Sequence, residues 1–329
     1  MKRRTSVTAA IALAAAMLVP AAFPVTAAAA DTSVNIAFQY GQAYAPLTIA
    51  KEQKLIEQAY EEATGKTVEV TWTQMSAGAD INTGIASGSV QVGFMGLGPA
   101  ITGCMSGVGY RIFTNLSGQE HGLMSNREEL GSLEDLVNSD EQVALVNIGS
   151  IQHIILAKAL DNAGFDAHAL DANLIAMKHP DGMAALESGN VACHLTTNPY
   201  IYKERENMEE SGLHEIEGVS DAWPADNSFI VGVCSAELRE EDPALYEALC
   251  QACADAIDYI NEHGEDAAKI TCEFNGTTPE EELKYLEAGT YSTETRGVFE
   301  LATFMAEHDF LDNAPESFAD LAYENVKGN

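Results

Sequence analysis

The sequence predicts an α/β fold, with parallel sheets and helices packed on both of their faces. Three observations carry it. Segments of period-two hydrophobicity alternate with segments of helical period, glycine closes several of the helical segments, and the alternation runs twice before a mostly helical last third.

The elements follow in order. SVNIAFQY (33–40) alternates as a half-buried strand, and PLTIAKEQKLIEQAYEEATG (46–65) places Leu47, Ile49, Leu55, Ile56 and Tyr60 on a helix ending at Gly65. TVEVTWTQ (67–74) is a second strand, followed by a helix carrying Ile81 and Ile85, and VQVGFMG (90–96) is a third, running out through Gly96 and Gly98. A second block opens near Ser132, where SLEDLVNS reads as a short capped helix. EQVALVNIG is again a strand, IQHIILAKALDNAG an amphipathic helix closed by Gly164, NLIAMKH a strand, GMAALESGN a helix and VACHLTTNP a strand. An acidic helical tract follows, then NSFIVGVCS, a strand returning to the first sheet. From Pro243 onward nearly everything reads as helix.

Two α/β units in sequence, with the last third returning, predict two lobes: 31–117 with 225–329, and 118–224. Ligands of open α/β sheets bind beyond the carboxyl ends of the strands, so facing strand ends would make a shared cleft.

Residues 1–30 read as an export leader. Lys2, Arg3 and Arg4 precede an apolar, Ala-rich run from Thr8 to Val25 interrupted by Pro20 and Pro24, and Ala28 and Ala30 supply the small-residue pair for cleavage before Asp31. The alternative is an uncleaved membrane anchor. No cysteine follows the run to take a lipid, and the rest of the chain has no apolar stretch long enough to span a bilayer. A soluble, exported protein is expected, periplasmic or extracellular and associated with the cell surface.

The formal charge is −33, and loss of Lys2, Arg3 and Arg4 takes it to −36. Such a surface repels nucleic acid and anionic lipid, which argues against both as partners. A small anion inside a cleft is a different case, because charges more than about 8 Å away are screened and local amides dominate. Six cysteines, Cys104, Cys193, Cys234, Cys250, Cys253 and Cys272, lie in a chain expected to be exported, where they are either core thiols or disulfides. Cys250 and Cys253 sit one helical turn apart without two further ligands for a metal.

Five stretches in order resemble the substrate-binding proteins of nitrate, sulfonate and taurine type ABC importers, a family that also includes thiamine-precursor binders. They are Ala45 and Pro46 with the helix through Lys51, IASGSVQVGFMGLGPA, SLEDL before VALVNIGS, GSIQHIILAKALDNAG, and AALESGNVACHLTTNPY, within residues 34 to 235. The resemblance implies a type II periplasmic binding protein: two lobes of mixed, mostly parallel sheet flanked by helices, with the ligand cleft between them. It also implies a small-molecule solute, a membrane permease as partner, and no cofactor; a monomer is expected. The family has Asp where this chain has Gln91 and Ala192, and a proline or aromatic near Leu97.

The strongest local candidate for the ligand is Gly149 and Ser150 ahead of Ile151, Gln152 and His153. Ser is a preferred N-cap, and the first helix amides with the helix dipole suit a carboxylate, sulfonate or nitrate oxygen. His153 either donates to the ligand or sits in the wall. Gly96, Leu97 and Gly98 allow close approach to backbone, and Ser76, Ala77 and Gly78 hold the equivalent place after the second strand. Tyr40, Gln42 and Tyr44 offer an aromatic wall and one amide. Thr196, Thr197 and Asn198 meet the ligand from the second lobe, and Asn227 closes the cleft as part of the hinge. Each set has a plain structural alternative, namely capping, a tight turn or packing.

Nothing competes as a catalytic or metal motif. His121, His153, His179 and His194 are scattered and read as core or solvated histidines, and P-loop, GxSxG and HExxH patterns do not occur. A binding protein without chemistry is expected. The alternatives are a cofactor-biosynthesis enzyme on the same scaffold or a binder of a thiamine-type pyrimidine precursor. Arg111 and Lys178 are the only cations near strand ends.

Overall fold

The computed structural model describes residues 30–206 and 208–329; the leader read at residues 1–29 lies outside the described residues. Eleven strands are present among the described residues: β1 (Thr32–Phe38), β2 (Val68–Gln74), β3 (Val92–Gly96), β4 (Tyr110–Gly118), β5 (His121–Ser125), β6 (Val143–Leu145), β7 (Leu174–Ala176), β8 (Cys193–Thr197), β9 (His214–Ile216), β10 (Ile230–Ser235) and β11 (Thr290–Tyr291). They form two sheets, ordered β11-β4-β10-β3-β1-β2 and β7-β6-β8-β5-β9, with helices around both. The architecture is mixed α/β.

Between the described strands, parallel pairing joins β1 with β2 and β3, and β6 with β7 and β8. The strands next to the crossings pair antiparallel: β10 lies between β3 and β4, and β5 between β8 and β9. The strand NSFIVGVCS does return to the first sheet, at its centre. Gly232 is required there, because a Cβ would stand 2.7 Å from the rings of both Phe94 and Phe113.

The strands β4, β5, β9 and β11 carry no sequence signal of the kind used above. β5 is buried at all five positions and β4 at eight of nine, so neither alternates. The helix predicted over 46–65 is two helices, Ala45–Glu52 and Leu55–Thr64, broken where Lys54 takes a left-handed φ of 53°. The helix Ile151–Asn162, predicted amphipathic, is buried on nearly every face, since it packs against both helix Leu97–Met105 and helix Val219–Ala222. The helical character of the last third holds to Glu307. Beyond it the chain returns to the first sheet, where Ile112 donates to Leu321 O and Tyr323 donates to Ile112 O.

Two crossings join the sheets, from β4 to β5 and from β9 to β10, and they touch backbone to backbone. A Cβ on Gly118 would lie 2.2 Å from the carbonyl oxygen of Ala225. All six cysteines are free thiols, with Cys193, Cys234 and Cys253 buried in the core. No helix among the described residues is long and apolar enough to cross a membrane.

Candidate functional site

All six parallel strands point their carboxyl ends at one cavity of about 890 Å³ between the sheets. From the first sheet it is lined by residues after β1 (39–44), after β2 (75–79) and at the end of β3. From the second it is lined by residues after β6 (146–152), after β7 (178–180) and after β8. Backbone groups beyond strand ends have no ladder partner, so those that no other group engages are available to a guest.

Two properties set this cavity apart. The chain has 50 carboxylate side chains, yet among the described residues none lines it; its ionisable lining is Lys178, His179 and the phenols of Tyr40, Tyr44 and Tyr200. The two large hydrophobic side chains left exposed among the described residues, Tyr40 at 47 % and Ile148 at 56 %, both belong to its walls, one beyond each sheet. Exposed apolar surface next to neutral polar groups is the usual make-up of a small-molecule site.

Thirteen of the residues proposed from sequence line the cavity: Tyr40, Gln42, Tyr44, Ser76, Ala77, Gly78, Gly96, Gly149, Ser150, Ile151, Gln152, Thr197 and Asn198. Several have their polar groups already engaged. The Gln42 amide donates to Glu282 at 3.1 Å and accepts from Asn275 at 3.0 Å, so it offers the cavity little. Tyr44 donates to Gln39 Oε1, and Ala77 N–H donates to Asp80 at 3.2 Å. The carbonyl of Ser76 accepts from Gln39 and, across the cavity, from Asn147, both at 3.3 Å.

The helix opened by Ser150 keeps its capacity for an anion. Ser150 Oγ accepts from His153 N–H at 3.3 Å, which leaves its own proton to donate. Among the described residues no acceptor meets the amides of Ile151 and Gln152, the first two of the helix. The Gly149 amide is not available, since it donates to His153 Nδ1 at 3.0 Å. The Gln152 side chain donates to Leu195 O, and Asn198 Nδ2 donates to Tyr285 O while its Oδ1 has no partner among the described residues.

Five predicted residues lie outside the lining. His153 is turned away: its Nδ1 is held by Gly149, its Nε2 lies 2.9 Å from Asp171, and Phe310 packs edge-on against the ring. Against the upward push of burial, hydrogen bonds from His153 and His168 hold Asp171 below its ordinary value. Leu97 is fully buried, and Gly98 makes room for protein, not ligand: a Cβ there would stand 3.2 Å from Ile154 Cγ1. Gly96, which does line the cavity, also makes room for Ile151, whose Cγ2 would stand 3.0 Å from a Cβ there. Thr196 points to the far face of β8, as strand alternation requires of the neighbour of Thr197, and lies beside Glu204. Asn227 lies in the second crossing, where its carbonyl faces Gly118, and Phe229 reaches the wall in its place.

The reading of His179 and His194 as scattered residues missed a connection. His179 Nε2 lies 3.3 Å from Thr197 Oγ1 in the cavity wall, His179 Nδ1 lies 3.1 Å from His194 Nε2, and His194 Nδ1 lies 2.6 Å from Glu204 Oε1. His194 and Glu204 are completely buried. Burial lowers both imidazoles and raises Glu204 to about 8. The residues are 25 positions apart at most, but only helix Tyr200–Glu206 folding back over β8 brings them together. No cluster of His, Cys, Asp and Glu fit to hold a metal is present among the described residues.

No curated protein sequence matches this chain. Solved structures do match its fold. The alkanesulfonate-binding protein SsuA from Xanthomonas axonopodis pv. citri, bound to MOPS, superimposes with a TM-score of 0.70 at 15 % identity over 89 % of this chain and 99 % of that one. The periplasmic aliphatic sulphonate binding protein SsuA from Escherichia coli gives 0.68 at 17 %, over 90 % and 93 %. The periplasmic nitrate-binding protein NrtA from Synechocystis PCC 6803 gives 0.59 at 15 %, over 77 % and 70 %. The fold is that of the periplasmic binding proteins. Residues 27–274 match the model of the NMT1-like family, and this chain is a member of it.

Proposed function

We propose that this chain is the exported solute-binding protein of an ABC importer, a receptor without chemistry of its own that captures a small organic solute carrying an anionic oxygen group. The supporting observation is a cavity with no carboxylate among its described lining residues, in a chain otherwise dense with them. An unpaired carboxylate in the wall would repel an anion at short range, where water screens poorly, and would attract a cation. Neutral donors at the opening of helix Ile151–Asn162 match a sulfonate or carboxylate. A volume of about 890 Å³ with Tyr40, Tyr200, Ile148, Phe229 and Phe310 in its walls suits a solute with an apolar portion better than a bare inorganic anion.

In this reading residues 31–117 with 225–329 form one lobe and 118–224 the other. They close about the crossings at Gly118 and Asn227, covering Tyr40 and Ile148, and the closed form docks as a monomer on the permease after export behind the leader. The thirteen lining residues predicted from sequence are the proposed contact set.

Calorimetry of the protein lacking its leader, against nitrate, taurine, a series of alkanesulfonates and an aminopyrimidine of the thiamine-precursor type, tests it. Tight binding of a sulfonate or related organic anion is expected, with small-angle scattering showing contraction. Tight binding of the pyrimidine alone would move the solute class to the neutral alternative. Turnover of any of these compounds, followed by mass spectrometry, would replace the receptor by an enzyme.

A further inference from the structure

Thr197, His179, His194 and Glu204 form one hydrogen-bonded line from the cavity wall into the interior of the second sheet, through contacts of 3.3, 3.1 and 2.6 Å. With both rings neutral, such a line has two consistent polarities. In the first, Glu204 carries a proton and donates to His194 Nδ1, His194 Nε2–H donates to His179 Nδ1, His179 Nε2–H donates to Thr197 Oγ1, and the Thr197 proton is free to point at a ligand. In the second, Glu204 is ionised and accepts from His194 Nδ1–H, His194 Nε2 accepts from His179 Nδ1–H, and Thr197 spends its proton on His179 Nε2. The polarities differ by one proton and by the tautomer of both rings.

The surroundings favour the first. Glu204 is wholly inaccessible, and its Oε2 has no hydrogen-bond partner among the described residues; the nearby Thr196 Oγ1 does not reach bonding geometry either. Burial keeps His194 neutral, so a carboxylate in that position would bear a charge with one oxygen unsolvated and no cation paired with it among the described residues, whereas the neutral acid removes the charge. The charged and titratable groups around the line do not compensate. Glu187 adds like charge at Glu204, and Asp181 acts on Tyr200, whose ring stacks on His179 at a centroid distance of 5.5 Å. Lys203 lies 5.6 Å over the Tyr200 ring, and Lys178 is exposed at the cavity. Helix His179–Glu187 is pressed against the line, since a Cβ on Gly182 would stand 2.7 Å from His194 Nε2.

We propose that protonated Glu204, acting through His194 and His179, turns the Thr197 hydroxyl into a donor for the anionic oxygen of the solute, so that capture requires the proton held at Glu204. Glu204, His194 and His179 are positioning residues in this scheme, and Thr197 makes the contact. It rests on the anionic-solute reading above and makes that reading dependent on pH.

The direct test needs no ligand. Long-range proton–nitrogen spectra of the nitrogen-15-labelled protein, assigned with His179→Gln and His194→Gln, report the tautomer of each ring. At pH 6.5 both rings are expected neutral and protonated at Nε2, changing to Nδ1 as pH rises toward 9; Glu204→Gln abolishes the change. Rings protonated at Nδ1, or cationic, at pH 6.5 would overturn the proposal. Titration with ethanesulfonate, which has no group of its own in this range, reads the coupling. Affinity is expected to be flat from pH 5.5 to 7 and then to fall toward a limit of about tenfold per pH unit. Thr197→Val weakens binding at pH 6.5 and flattens the profile, while Thr197→Ser restores both. Affinity that stays flat to pH 9 overturns the coupling and leaves the anionic-solute reading intact. Absence of binding by ethanesulfonate and longer alkanesulfonates, with tautomers as expected, overturns the solute reading and leaves Glu204 as the proton holder.

Discussion

Gly98 and Ile154 meet at the seam between the two sheets: a methyl carbon added to the glycine would stand 3.2 Å from Ile154 Cγ1 and 3.4 Å from Ile151 N. This contact is tighter than side chains ordinarily tolerate, so the openings of helices Leu97–Met105 and Ile151–Asn162 approach as closely as glycine permits. The seam sets the floor of the cavity.

Gly98→Ala is therefore expected to lower stability by about 1–3 kcal/mol through overpacking. Ile154→Ala in the same chain gives the methyl its space, so the double variant should cost less than the sum of the singles in a urea double-mutant cycle. Strict additivity would show that the two helices simply move apart.

Ser150→Ala removes the cap of helix Ile151–Asn162 and a free hydroxyl of the cavity. A stability loss of about 1 kcal/mol is expected, together with weaker capture of the solute. Ser150→Thr should keep most of the stability, and chemical denaturation alongside calorimetry separates the two effects.

The buried line gives a stability profile with a maximum. Raised to about 8, Glu204 contributes stability that is present below the unfolded carboxyl value of 4.5 and lost as pH rises through 8. Lowered from 6.5, His179 and His194 contribute stability present above 6.5 and lost as pH falls below it. Near pH 6.5 two half-titrated histidines in the unfolded chain bind one proton, as many as Glu204 holds when folded, so the contribution peaks there. Each limb has a slope of up to ~1.4 kcal/mol per pH unit for each proton of difference. Melting of Glu204→Gln against wild type between pH 5 and 9 should lose the alkaline limb and steepen the acid limb, where Glu204 no longer offsets the two histidines.

Six thiols should react with Ellman's reagent in denaturant without prior reduction. In the native state Cys253 and Cys234, whose thiols burial raises far above the ordinary value, should react slowest. A count of four or two would mean that export introduces disulfides.

Much of the fold was legible from periodicity. β2, β3, β6, β7 and β8 fall within their predicted segments, and β1 starts one residue before its own, because each is a parallel strand next to an amphipathic or capped helix, where the change of period is sharp. β4 and β5 were not, since a strand buried on both faces between antiparallel neighbours loses its alternation. The helix at 46–65 broke at Lys54, a residue with no breaker signal. Of the site, the turns after parallel strands were legible from their place in the α/β order. Whether a given side chain there offers a free polar group to the cavity was not, as Gln42 and His153 show, because partners such as Glu282 and Asp171 are not marked by the local pattern.

By itself the sequence determined the α/β order, the family and the location of the cavity beyond the parallel strand ends, because local periodicity and strand direction leave little choice once helices and strands alternate. The tertiary structure alone decided which polar groups remain free and which are consumed. It also joined His179, His194 and Glu204 into one line, because hydrogen-bond partners in a packed interior are chosen by three-dimensional proximity, to which spacing along the chain is nearly blind.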